Sequence, residues 1–403
     1  MLQRSIVRSV RFSSRFSKVE NFSTNCSPLL KRSSRLQVQP FREIHPIVWF
    51  IARPALKLTA MLTGRGFRKY WIKLDSDEKA KFKSKYRLPV FGTLFASLAV
   101  LGAYLYAHVS KAPFTGRWRI MLLTAKDLEF VTDETVRALA DKHRNEVLPA
   151  SDPLYKMIEK IANVIISANR DIVRVREINW TLSVINSDFM NVEVMPNGHI
   201  VFYTGMLNAV SNVDQIASVI SHEMAHTLLD HVPEKLSNSQ LTDWVSIVLH
   251  SVVFFILPLD SIAFFTSNFQ SKLLDLVAGS KYSQMLELEA DRVGTVLLAK
   301  ACFDVRESSA LWEMFALKDE LLQNSSNHFL STHPTHKRRA REISGYCAEA
   351  NELRTALKCP PLSDCDPIGS VKTIREKILS LQHSGQLPFE IKESFSILNL
   401  DVL

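Results

Sequence analysis

Apolar positions along the chain separate a membrane-like stretch from a globular remainder. Leu88 to His108 reads LPVFGTLFASLAVLGAYLYAH, about twenty residues without a formal charge before the closing histidine. That is long enough to cross a hydrocarbon core of about 30 Å as a helix, and a buried helix of a soluble core seldom stays apolar on every side for so long. Tyr104 and Tyr106 at its end suit a membrane interface. After it, Pro113-Phe114-Thr115-Gly116-Arg117 breaks the helix with turn residues. Helical spacing of apolar residues predicts amphipathic helices over 131–147 and 153–170. Trp180 to Ile185 (WTLSVI), Val192 to Val194 and His199 to Tyr203 predict three strands, the last two flanking a turn at Pro196-Asn197-Gly198. Another helix starts from an N-cap at Ser211 or Asn212.

A second apolar region, Leu241 to Phe269, is interrupted by His250, Pro258 and Asp260, and its longest apolar run falls short of a span. It is expected to be membrane-dipping, interfacial or a buried hairpin over the site rather than a second crossing. Helices resume at about 270–300, 304–326 and 335–357, with no internal repeat. The fold class that follows is α+β: a small mixed sheet in a mostly helical domain, preceded by one transmembrane helix.

The charge of +8 changes the picture only at the N-terminus. The first forty residues hold eight of the 49 Lys/Arg and one of the 41 acids, which leaves 41 basic against 40 acidic residues in the body. A body so nearly neutral implies no nucleic-acid partner. The Arg- and Ser-rich stretch 1–40, dotted with Ile6, Val7, Val10, Phe12 and Phe16, has the composition of a mitochondrial transit peptide. A secretory signal needs a continuous apolar run, which is missing there. Eight basic residues lie in the twenty positions before Leu88 and four in the twenty after His108. The positive-inside bias therefore keeps the N-terminal side in the matrix and places residues 109–403 in the intermembrane space.

Five cysteines are too few and scattered for a disulfide scaffold. Cys359 and Cys365 either pair across the short KCPPLSDC loop or remain two free thiols. With no C-x-x-C pair, cysteine is assigned no metal.

The chemistry is concentrated in His222-Glu223-Met224-Ala225-His226. Residues four apart on a helix stand one above the other, so the two imidazoles can share one Zn²⁺. Glu223 lies about 100° round the helix, beside the metal, where a carboxylate can act as general base on a water. A catalytic zinc needs a third protein ligand. Glu287-Leu288-Glu289-Ala290-Asp291 offers one: Glu287 can ligate, while Asp291, stacked on the same face, reaches the far nitrogen of an imidazole, most plausibly that of His222. His231 lies nine residues past His222, about half a turn round a continuing helix, and is expected to face away. His199, His250, His328 and His336 lack partners at ligand spacing.

In this combination the chain resembles the HtpX and CAAX-prenyl-protease family of integral-membrane zinc metalloendopeptidases. Four blocks carry the likeness in order: Asn191 with the PNGHIVFYTGML stretch, Ser221 to His226, Glu287 to Asp291 with Gly294, and Ser331-Thr332-His333-Pro334 with Arg339. They span residues 180–342. The single membrane span, the Pro-Phe-Thr-Gly-Arg stretch and the presequence are similar to the mitochondrial inner-membrane branch, named for activity overlapping the matrix AAA protease. The resemblance implies a gluzincin-like domain with one Zn²⁺ per subunit on His222, His226 and Glu287. Glu223 would be the general base, and Asn191 would hold substrate as an added strand. His333 would donate to the oxyanion, and Arg339 would order its loop by a salt bridge. It further implies stress-activated cleavage of membrane-anchored proteins, including a dynamin-like GTPase of inner-membrane fusion, and homo-oligomers.

The domain order expected is a transit peptide (1–40), a basic matrix-side segment (41–87), the transmembrane helix (88–108), the metallopeptidase domain (109–358) and a C-terminal tail (359–403). A non-catalytic membrane sensor or scaffold with a structural metal is disfavoured, because no structural zinc requires Glu223. An endoplasmic-reticulum prenyl-protein protease predicts several spans around the site.

Overall fold

The computed structural model describes residues 46–124, 126–257, 282–322 and 336–383. Two long helices come first: α1 (Pro46–Lys73) and α2 (Ser76–Ala107). Asp75 caps α2 and Glu78 answers it in a capping box, which fixes the start of the second helix. The expected span is the second half of α2, whose most apolar window has no buried residue among those described. Directly after α2 comes a hairpin of β1 (Val109–Lys111) and β2 (Trp118–Ile120).

The globular part begins with α3 (Glu129–Lys142), α4 (Pro153–Ala168) and the short α5 (Val173–Glu177). Strands β3 (Thr181–Ile185), β4 (Val192–Val194) and β5 (His199–Tyr203) form a mixed sheet in the order β3-β5-β4. β3 runs parallel to β5 with Ser183 opposite Val201, and β4 runs antiparallel with Glu193 opposite Val201. The β4–β5 turn needs Gly198, whose φ of +89° lies where other residues are strained. α6 (Val213–Leu228) packs under β4 and against α4. Then follow α7 (His231–Ile256), α8 (282–300), α9 (Arg306–Leu322), α10 (His336–Ala356) and α11 (Pro367–His383). One apolar core joins α4, the sheet, α6, α8, α9 and α10, with Ile158, Phe202, Ile220, Leu297, Trp312 and Ile343 at 2% exposure or less. The α+β, mostly helical fold expected from the sequence is the one observed.

Two local expectations are corrected. α7 is unbroken through His250, because the His250 Nδ1–H donates to the Ser246 carbonyl of its own helix (2.6 Å) and the polar ring needs no turn. Pro258 and Asp260 lie outside the described residues. Before the expected span, α1 lies along α7, with Arg53 2.9 Å from Asp243 and Arg68 donating to the Phe254 carbonyl (3.2 Å). Finally, Cys359 pairs with Cys302, not Cys365; Cys365 is a free, exposed thiol. The α8–α9 turn brings Cys302 to the end of α10, a proximity that sequence spacing could not reveal.

Candidate metal centre

α6 starts where the Asn212 side chain accepts from the Gln215 amide (2.9 Å). From Gln215 to Leu228 every residue is buried. Polar side chains on a helix buried all round must find partners inside the protein. Gln215 turns to Glu307 and Thr227 to the Val194 carbonyl, while His222 and His226 converge on one point. The Nε2 atoms of His222 and His226 stand 3.1 Å apart. Glu287 on α8 brings Oε2 within 3.3 Å of the first and Oε1 within 3.6 Å of the second. The donor atoms of these three residues lie within 4.8 Å of one another. Two imidazole nitrogens and a carboxylate oxygen are the protein ligands of a catalytic zinc, with a fourth position left for water or substrate. The donor set therefore fits the metal that the motif implies.

Glu223 stands beside this point: its Oε1 is 4.0 Å from His222 Nε2. Burial pushes its carboxyl up to about 7, with the charge of Glu287 adding to the rise and His222 opposing it. Burial and Arg339 both disfavour the charged form of His222, but Asp291 and Glu287 outweigh them and hold it up at about 9. Burial drives His226 the other way, well below its ordinary value, only partly offset by Glu287.

Asp291, one turn after Glu287, places Oδ1 3.0 Å from His222 Nδ1. Arg339, 1% exposed, reaches in from α10 and forks onto Asp291, Nε to Oδ2 at 2.8 Å and Nη2 to Oδ1 at 2.6 Å. Its Nη1 is 3.2 Å from Glu287 Oε2, and its guanidinium lies 3.5 Å from the centre of the Trp312 ring. Arg339 was expected to order the His333 loop by a salt bridge; among the described residues it meets Asp291, Glu287 and His222, with Nη2 3.1 Å from His222 Nε2. His333 and Ser331 lie outside the described residues.

Asn191 stands at the entrance to β4, its carbonyl accepting from the Tyr203 amide (3.2 Å). β4 is an edge of the sheet, and Thr227 of α6 donates to its Val194 carbonyl (3.2 Å). The edge strand thus passes beside the helix that carries His222 and His226.

His231 is the residue that sequence reasoning misplaced. α6 ends at Leu228, and Asp230 turns the chain through a left-handed conformation (φ +59°). Rotation counted along a continuous helix therefore fails, and His231 folds back onto the site with Nδ1 2.8 Å from His226 Nδ1. An aspartate four residues after the second motif histidine was the available signal, since Asp tolerates αL better than most residues.

The pattern of Peptidase family M48 matches residues 156–347. The chain is 34% identical to metalloendopeptidase OMA1, mitochondrial, of Bos taurus, over 85% of this chain and 66% of that protein. It is 33% identical to the protein of the same name in Danio rerio, over 80% of this chain and 68% of the relative. With the mitochondrial metalloendopeptidase OMA1 of Saccharomyces cerevisiae it shares 29% over 73% and 84%. The chain belongs to peptidase family M48, as a metalloendopeptidase of the mitochondrial OMA1 type. It spans about two thirds of the length of the vertebrate relatives it matches.

Proposed function

We propose that this chain is a zinc-dependent endopeptidase of the mitochondrial inner membrane, cutting membrane-anchored proteins. The observation that carries the reading is the convergence of His222, His226 and Glu287 with the Glu223 carboxylate 4.0 Å from His222. One zinc ion per subunit, held by the first three, would supply Lewis acidity to a water and to the scissile carbonyl. Glu223 accepts the proton of the attacking water and returns it to the leaving amine. Asp291, on Nδ1 of His222, keeps the other nitrogen of that ring free for the metal. Asn191 and β4 hold the substrate as an added antiparallel strand, which limits cleavage to extended segments. His333 donates to the oxyanion.

α2 anchors the enzyme, with the metal centre in the intermembrane space and residues 1–40 acting as a transit peptide. α7 is a second helix long and apolar enough to cross a membrane. Its exposed Trp244, Val245, Val248, Val252 and Ile256 suit lipid contact alongside the anchor. Substrates would include a dynamin-like GTPase of inner-membrane fusion, cleaved under stress by a homo-oligomer.

The test compares the full chain with Glu223→Gln and His226→Ala in membranes. Glu223→Gln should keep one zinc per subunit and lose cleavage by about 10²-fold or more, whereas His226→Ala should lose the metal. Cleavage that survives Glu223→Gln refutes the mechanism. A C-terminal tag that stays shielded after rupture of the outer membrane refutes the topology.

A further inference from the structure

The β1–β2 hairpin, the first structure after the membrane helix, reaches the metal centre through a line of hydrogen bonds. Its tip is closed by Gly116 N donating to the Ala112 carbonyl (3.0 Å) and Ala112 N to the Arg117 carbonyl (2.8 Å). Phe114 and Trp118 are 53% and 67% exposed on it, at the foot of α2. The same tip points two side chains inward. Thr115 Oγ1 donates to Glu289 Oε1, and Arg117 Nε donates to Glu289 Oε2 at 2.9 Å. Arg117 also bonds Glu234 near the start of α7 (2.9 Å). Glu289 Oε2 lies 3.3 Å from His231 Nε2, and His231 Nδ1 lies 2.8 Å from His226 Nδ1.

Proton placement along this line runs one way. Glu289, met by Thr115 and Arg117 as donors, is an acceptor toward His231, so His231 Nε2 carries the hydrogen. The neutral ring then accepts at Nδ1, and His226 Nδ1 must donate to it. That leaves the Nε2 lone pair of His226 facing His222 and Glu287. His222 meets a carboxylate directly at Asp291, whereas His226 meets one through an interposed histidine, and that carboxylate is held by the hairpin.

We infer that Thr115, Arg117, Glu289 and His231 are positioning residues for His226, through which the hairpin leaving the membrane helix sets the tautomer and orientation of one metal-binding ring. The inference rests on the reading of His222, His226 and Glu287 as a metal centre. Its consequence is that metal affinity depends on a segment distant in sequence, seated between the membrane anchor and the catalytic domain. Outer partners of this kind alter metal affinity by about 10- to 100-fold.

The experiment uses the full chain in detergent or nanodiscs as wild type, His231→Phe, Arg117→Gln and Arg117→Lys, with Lys300→Gln as a control remote from the site. Zinc affinity is read by chelator competition, the coordination of substituted Co²⁺ by its visible absorption, and the fold by melting of the metal-free protein. His231→Phe and Arg117→Gln should each bind zinc about 10- to 100-fold more weakly. His231→Phe should also shift the cobalt bands. Arg117→Lys, which keeps one charge-assisted donor, should recover part of the affinity, and Lys300→Gln should match wild type. Unchanged zinc affinity and cobalt spectrum in His231→Phe or Arg117→Gln, even with a lowered melting temperature, overturns the inference. A wild-type chain that takes up no zinc refutes instead the metal-centre reading beneath it.

Discussion

Gly294 on α8 lies directly against the backbone of His222 on α6. A methyl group at position 294 would stand 3.0 Å from the His222 Cα, 3.1 Å from its N and 3.2 Å from the Ser221 carbonyl oxygen. All three are backbone atoms of a helix buried on every side, so none can swing away. This closeness brings Glu287, two turns earlier on α8, to the two imidazoles. Gly294→Ala should push α6 and α8 apart, lowering stability by about 1–3 kcal/mol and weakening zinc binding. Thermal melting and chelator competition measure both, and a variant unchanged in each would mean that the helix contact has slack.

Arg339 neutralises two buried acids at once. With Asp291, Glu287 and Arg339 all at 1% exposed side chain, removing the guanidinium deprives two buried carboxylates of a shared cation. Breaking a buried ion pair from one side costs about 3–5 kcal/mol. Arg339→Met, which keeps much of the volume over Trp312, should lose stability in that range by urea denaturation. Arg339→Lys should lose less, since it restores the charge but not the fork. Equal loss in both would point to the Trp312 contact, not charge, as the main contribution.

Much of this arrangement was legible because its signals are local. The three strands and the α6 helix, with its N-cap at Ser211 or Asn212, follow from alternation, a turn glycine and helical spacing over a few residues each. His222, His226, Glu287 and Asp291 were legible because spacing of four on a helix fixes which side chains share a face. What escaped depends on contacts distant in sequence. His231 was misplaced by one residue's backbone, the left-handed Asp230, which ends one helix and starts the next. Arg339 could be singled out, but which acids it would meet was set by the packing of α10 on α8. The Cys302–Cys359 bond joins residues 57 apart, a distance with no local trace. Nor could α1 be matched to α7, because pairing of Arg53 with Asp243 spans 190 positions.

The disulfide should be structural. A bridge across 57 residues removes chain entropy from the unfolded state corresponding to about 4 kcal/mol in the loop-closure model. Cys302→Ser should therefore lower the melting temperature under oxidising conditions, and reductant should lower that of wild type to match. Cys365→Ser, at an exposed free thiol, should change neither. If reductant leaves wild type untouched, the bond contributes nothing to stability.

Glu234 should make the junction between hairpin and α7 sensitive to acid. It is fully buried, with Arg117 Nη1 at 2.7 Å and Arg119 Nη1 at 3.0 Å, and Tyr282 donates to it. Burial opposes its ionisation, yet the hydrogen bonds from Arg117, Tyr282 and Arg119 prevail and hold its carboxyl below the usual range. A carboxylate whose pKa is lowered by folding contributes stability that is fully present above its unfolded value, about 4.3, and is lost as pH falls through the folded value. Wild type should thus lose stability progressively below about pH 4.3. Glu234→Gln should start less stable at neutral pH, because Arg117 and Arg119 lose the anion they share, and should then lose less between neutral and acid conditions. Denaturation midpoints of both proteins from pH 7 to pH 3 test this directly, and parallel profiles would show that Glu234 does not supply the linkage.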